Sequence, residues 1–361
     1  MAQLLWTCAT AVRKTLDPYA NGLQLWLFTY LIRNGAASPV EGVEQRPLLE
    51  PEQRGLPSVT DTSSEEFALS DGRKLGVAYF GAENGSPVFY LHGYPGCRLS
   101  GGAFFDRAGK KLGARIIAID RPGIGNSSPQ PGHKPLDLVN DIRELAEHLN
   151  LKSYGVIGVS GGGPYALACA YALPPEELRS VSIIGGMGPI DVGFKGMSWS
   201  NWLTFMALMY FPFIARWLQN KVVHMLRKMP NEKIIAEVQT RITERSARLL
   251  DPDLMYLMDP ESLATMLDLY REHYKQGVDG YMEDGRVLTT DWGFSLEDIP
   301  AEIPIQLWYS KKDTNVPFRM GEAIASRLSS RPEFHVDENE THLKLVLKSS
   351  ASALESLLEK M

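Results

Sequence analysis

The chain has 361 residues, 44% of them hydrophobic and 22% charged, so it exceeds one typical domain and can bury a substantial core. Its 37 Lys+Arg against 43 Asp+Glu leave a net charge of -6, a mildly acidic balance that argues against a nucleic-acid binder, whose phosphate contacts need a basic face. Three widely spaced cysteines, Cys8, Cys97 and Cys169, with no CxxC pair, exclude a disulfide framework and a cysteine zinc site.

Residues 4–16 and 19–33 read as two helices. The first is amphipathic through Leu4, Leu5, Val12 and Leu16, and the second is apolar nearly all round. The apolar run 23–32 is shorter than the ~20 residues a membrane span requires, and neither a basic leader nor a cleavage site frames it. This arm is expected to pack on the main body or a second copy, or to touch a membrane surface through Trp26, Phe28 and Tyr30. The polar segment that follows, carrying Pro39, Pro47, Pro51 and Pro57, reads as a linker, so residues 1–65 form an arm and linker.

A hairpin should follow, with strands at 66–69 and 73–80 joined by Asp71-Gly72. Short apolar runs at 88–91, 114–119, 154–159, 181–184, 303–309 and 333–336 then alternate with helical patterns. One of these helices spans 136–149, with Leu138, Ile142, Leu145 and Leu149 on one face. Such alternation predicts an α/β fold with a mostly parallel sheet and helices on both faces. Between residues 190 and 299 no strand pattern appears, and helices are expected at 199–229, 231–250 and 260–276. The chain therefore reads as a core of residues 66–189 and 300–361, interrupted by an all-helical cap at 190–299.

Gly158-Val159-Ser160-Gly161-Gly162 matches G-x-S-x-G between a predicted strand and a predicted helix. A serine on that turn occupies a crowded backbone position, so small residues must stand two before and two after it. Ser160 is therefore the candidate nucleophile. An acyl-transfer site also needs two N–H donors aimed at the developing oxyanion. Gly161 and Tyr94 are the candidates, the latter from His92-Gly93-Tyr94-Pro95-Gly96 after the run at 88–91. His92 is expected to brace that loop. Of seven histidines, His342 follows the last strand run and opens the final helix, making it the candidate base. Asp313, after the penultimate run, is the candidate acid, with Asp191 as the alternative.

Together with Asp120-Arg121-Pro122-Gly123-Ile124-Gly125-Asn126-Ser127, these motifs resemble the α/β-hydrolase-fold superfamily from residue 66 to the C-terminus. The resemblance implies a Ser160–His342–Asp313 triad with no metal or organic cofactor. The Asp120 segment resembles the family's D-x-x-G-x-G-x-S loop, which shapes the site, and a structural role is expected for it. Ser160 speaks against the epoxide hydrolases and haloalkane dehalogenases of the family, which use an aspartate nucleophile. Caps in this family commonly roof the pocket, so Trp199, Trp202, Phe205 and Met206 are candidate pocket residues for a hydrophobic small-molecule substrate.

The resulting expectation is a serine hydrolase of a carboxylic ester, lactone or thioester. A peptidase, a carbon–carbon-bond hydrolase, or a lyase or cyclase of specialised metabolism are the alternatives. A cytoplasmic location is expected from the free cysteines and from two glycosylation sequons, Asn126-Ser127-Ser128 and Asn339-Glu340-Thr341, beside the expected site.

Overall fold

A computed structural model of the protein describes residues 64–244 and 259–361. The arm and most of the linker, and the end of the helix expected at 231–250, lie outside the described residues.

The chain opens with a hairpin, β1 (Ser64–Ala68) and β2 (Lys74–Gly81), whose turn at Asp71-Gly72 places Gly72 at φ 87°. The order continues β3 (Ser86–Leu91), α1 (Ser100–Leu112), β4 (Ala114–Ile119), α2 (Pro135–His148), β5 (Tyr154–Val159), α3 (Gly163–Ala172) and β6 (Leu178–Ile184). After an insertion come β7 (Ile305–Ser310), α9 (Phe318–Arg327), β8 (Glu333–Asp337) and α10 (His342–Leu358). The eight strands form one sheet in the order β1-β2-β4-β3-β5-β6-β7-β8, antiparallel at β1–β2 and β2–β4 and parallel from β4 onward.

The inner strands are buried on both faces, which is why they read as unbroken apolar runs. Their alternation sorts side chains into two layers. Val88, Tyr90, Ile116 and Ile157 pack with Phe105 of α1 and with Leu354 and Leu357 of α10. Phe89, Leu91, Ile117 and Val156 pack on the opposite face with Leu138, Ile142 and Leu145 of α2 and Ala166 of α3. Each such side chain contributes about 1.5–3 kcal/mol on burial.

The chain leaves β3 for β4 on one side and reaches β5 on the other, so the topology switches between β3 and β5. In open sheets of this kind, the carboxyl ends of the strands at such a switch form a crevice.

The insertion between β6 and β7 holds α4 (Trp199–Tyr210), α5 (Pro212–Lys228), α6 (Asn231–Glu244), α7 (Pro260–His273) and α8 (Asp279–Leu288), with no strand among the described residues. The single helix expected at 199–229 is two helices. Phe211 leaves the helical conformation at φ -135° and Pro212 starts α5, where its missing N–H is not needed. The helix α8 was not anticipated, since its glycines and charges conceal a face on which Tyr281, Asp284, Val287 and Leu288 are buried.

Candidate functional site

The sharp turn after β5 sets Ser160 at φ 52°, left-handed backbone that a non-glycine residue adopts only under tertiary constraint. The constraint is visible in its neighbours. A Cβ on Gly162 would stand 2.1 Å from the carbonyl oxygen of Leu91, and one on Gly158 2.7 Å from that of Gly162. Only hydrogens fit at either position, so the small residues of the motif follow from the approach of the turn to β3 at Gly162 and from the turn's own backbone at Gly158. Ser160 itself is partly exposed.

At the same end of the sheet, Asp313 follows β7 and His342 opens α10 after β8. His342 Nδ1 lies 2.6 Å from Asp313 Oδ2, and the Asp313 side chain is fully buried. The other carboxylate oxygen of Asp313 accepts backbone N–H groups of Asn315 at 2.8 Å and Val316 at 2.9 Å. This carboxylate is thus oriented on both sides, and its partner imidazole must carry its proton on Nδ1, leaving Nε2 free of hydrogen when neutral. Gly185, after β6 at φ 54°, lies beneath the ring; a Cβ there would be 3.0 Å from His342 Cε1. Asp191 is elsewhere: it is exposed and paired with Arg327 at 2.8 Å. The alternative acid is therefore not the partner of His342.

The loop after β3 closes over the turn. Gly93 comes so near that a Cβ on it would lie 3.3 Å from Ser160 Cβ, and a Cβ on Gly161 would lie 3.1 Å from the Tyr94 nitrogen. The backbones of Tyr94 and Gly161 are therefore neighbours beside Ser160. His92 braces the loop: its Nε2 accepts from the Arg121 N–H at 3.3 Å, and its Nδ1 lies 2.9 Å from the Gly93 carbonyl. One tautomer, protonated on Nδ1, satisfies both. Burial, with the Arg121 guanidinium adding to it, holds His92 well below the usual imidazole range, so it stays neutral.

Arg121 is the residue that the motif reading left without a task. Its guanidinium donates to the carbonyl oxygens of His92 and of Gly93, the latter at 2.9 Å. It also forks onto Asp284 of α8 at 2.8 and 2.5 Å and lies over the Tyr165 ring at 4.9 Å. Both carboxylate and guanidinium are buried, and the pair ties the loop to the inserted helices. Arg121 stands in the Asp120 motif, so it was visible in the sequence, but its partner 163 residues away was not. The carboxylate of Asp120 faces the other way, accepting from the backbone of Arg98 and Asn126 and from the Arg98 guanidinium.

The inserted helices cover this loop. Tyr94 stacks on Tyr281 of α8 with centroids 4.7 Å apart, and Phe205 of α4 lies 6.2 Å from Tyr94 and stacks on Phe194 at 5.2 Å. His273, at the end of α7, lies with Nδ1 2.7 Å from the Gly96 carbonyl. Of the four candidate pocket residues, Phe205 is buried, and Trp199 and Met206 are partly buried. Trp202 is 46% exposed, on the outer side of the same helix turn. Three residues apart, Phe205 and Trp202 lie about 60° apart around the helix, so the edge of the buried face falls between them, and an aromatic-rich sequence does not say where that edge falls. Among the described residues, no group of three or more His, Cys, Asp or Glu side chains is arranged to hold a metal ion.

A sequence profile of the alpha/beta hydrolase fold matches residues 86–343, more than half of the chain. The chain belongs to the alpha/beta hydrolase fold family. A 119-residue stretch of this hydrolase-fold chain is 37% identical to a proline iminopeptidase from Arabidopsis thaliana, covering 32% of this chain and 30% of that protein. A 136-residue stretch is 32% identical to a proline iminopeptidase from Xanthomonas citri, covering 36% and 42% respectively. The chain thus spans less than half the length of these curated relatives. Among solved structures, an esterase from Exiguobacterium antarcticum superposes with a TM-score of 0.57 at 18% identity, over 81% of this chain and 98% of the esterase. At that identity, the likeness concerns the fold. No helix among the described residues is long and apolar enough to cross a membrane.

Proposed function

We propose that this alpha/beta hydrolase is a serine hydrolase that cleaves a carboxylic ester, lactone or thioester of a hydrophobic small molecule through an acyl-enzyme. The observation that carries this reading is the buried, doubly oriented Asp313 bound to His342 at 2.6 Å, at the sheet end where Ser160 stands on its tight turn. In the proposed reaction, His342 Nε2 takes the Ser160 proton as Oγ bonds to the substrate carbonyl carbon. The carbonyl electron pair moves to oxygen and is held by the N–H groups of Tyr94 and Gly161. Collapse breaks the bond to the leaving group, which departs with the proton from His342. Water then attacks the acyl carbon, giving one proton to His342, and Ser160 leaves with that proton. Asp313 keeps the imidazole in one tautomer and stabilises its cation. Arg121 positions the loop that carries Tyr94.

An apolar substrate is favoured by the side chains set over that loop, Phe205 and, stacked on it, Phe194. Asp284, the one fully buried carboxylate among the described residues of the insertion, is held by Arg121 and Tyr165. It cannot also bind a cationic amino terminus without abandoning a buried guanidinium. A peptidase reading is the second possibility, supported by the two proline iminopeptidase relatives.

Fluorophosphonate labelling of wild type and Ser160→Ala, with turnover of aryl esters of short and medium acyl chains beside a proline aryl amide, tests both readings. Labelling at Ser160 with ester turnover is expected. Absence of label and turnover in wild type overturns the serine-hydrolase reading, and turnover of the amide alone replaces it with the peptidase.

A further inference from the structure

The outer face of α4 and α5 differs from the rest of the surface. Of eight large hydrophobic residues exposed in the described chain, seven lie here: Trp202, Leu203, Tyr210, Phe211, Phe213, Ile214 and Trp217. Soluble proteins scatter such residues singly, and a cluster marks a surface that something covers. The charge pattern says what. No Asp or Glu occurs between Asp191 and Glu232, whereas Lys195, Arg216, Lys221, Arg227 and Lys228 do, in a chain whose net charge is -6. On α5 the exposed residues Phe213, Trp217, Lys221, His224 and Lys228 follow one another at helical spacing, aromatic at the first turn and cationic toward the last. Lys221 Nζ stands 5.6 Å from the Trp217 ring. Two carboxylates border the patch from elsewhere: Asp279 of α8, paired with Arg216, and Glu232 of α6, which lines a depression with Arg227, Lys228 and Arg271.

We propose that the α4–α5 corner docks on an anionic lipid surface, with the aromatic residues at 210–217 entering the headgroup boundary and the α5 cations facing lipid phosphates and carboxylates. Aromatic side chains with one polar end suit that boundary, and a one-signed charge suits an anionic bilayer. The opposite side of α4 buries Phe205 and Leu208 over Tyr94, so docking would set the roof of the candidate site against the membrane. The surface differs from the N-terminal arm, and the proposal does not depend on which bond the site cleaves.

Sedimentation of the full-length protein with phosphatidylcholine vesicles, with and without phosphatidylserine, tests it. Binding to the phosphatidylserine vesicles is expected, falling with added salt. Phe213→Ser/Trp217→Ser and Lys221→Glu/Lys228→Glu should each weaken it about tenfold or more. These side chains are exposed, and unchanged thermal melts check that both variants remain folded. Lack of preference for anionic vesicles, or undiminished binding in both variants, overturns the proposal. So does binding lost only in an arm variant, Leu25→Asp/Phe28→Asp, or a dimer in solution that the Phe213→Ser/Trp217→Ser change alone converts to monomer without vesicle binding.

Discussion

Two regions of this chain obey opposite rules. Around Ser160, backbone meets backbone, and every group is constrained by another: the Gly162 position by the Leu91 carbonyl, His342 by Asp313, Asp313 by two N–H groups. On the outside of α4 and α5, large aromatic side chains stand mostly in solvent, with Phe213 70% and Tyr210 64% exposed. The first region stores constraint where chemistry needs fixed positions. The second leaves apolar area uncovered, the feature on which the proposed docking surface rests. The contrast teaches that the inserted helices have two different sides, one packed on the Tyr94 loop and the other facing outward.

The comparison breaks first at Ser160. Ser160→Ala should lower turnover on the order of 10^5-fold or more and abolish fluorophosphonate labelling, because the proposed nucleophile, base and acid act as a unit. Next, Asp313→Asn should cost roughly 10^4-fold in kcat, by inverting the hydrogen-bond polarity toward His342, whereas Asp191→Asn leaves kcat within about twofold. Steady-state kinetics of the two variants side by side read this difference.

Arg121→Leu tests the joint between core and insertion. It leaves Asp284 buried without its guanidinium and removes the donors on the His92 and Gly93 carbonyls, so a loss of about 3–5 kcal/mol in denaturant unfolding is expected. A stability change comparable with that of an exposed pair, below about 1 kcal/mol, would mean that the loop holds its shape without this anchor.

The smallest effect is one of pH. Burial pushes His273 down from 6.5 to about 4. Between those values the unfolded chain takes a proton that the folded chain refuses, so stability falls as pH drops through that window. The slope from this one group is about 1.4 kcal/mol per pH unit at most. His273→Gln, which can still donate to the Gly96 carbonyl, should show a shallower decline between pH 6.5 and 4. Denaturant midpoints across that range measure the difference.

Much of the fold was legible because buried parallel strands leave continuous apolar runs. β4 and β5 fall where the pattern placed them, at Ala114–Ile119 and Tyr154–Val159. The hairpin turn, the Ser160 turn and the His342 helix start were legible for a related reason: each needs particular residue types at adjacent positions. The α4–α5 break was not, although Pro212 marks it, since the hydrophobic pattern runs through without interruption. Nor was α8 legible, because Gly280 and Gly285 weaken the helical pattern, and both are there for close approach to the Gly123 backbone and the Tyr94 hydroxyl.

What this sequence determines by itself is the run of sheet strands and the turns that carry Ser160 and precede His342, since short-range patterns report local backbone needs. Tertiary structure alone decided that Asp313 rather than Asp191 meets His342, that Arg121 finds Asp284, and that Trp202 faces outward while Phe205 faces in. Those choices depend on where distant segments come to lie, and an ion pair or a helix face carries no mark of its partner until the chain has folded.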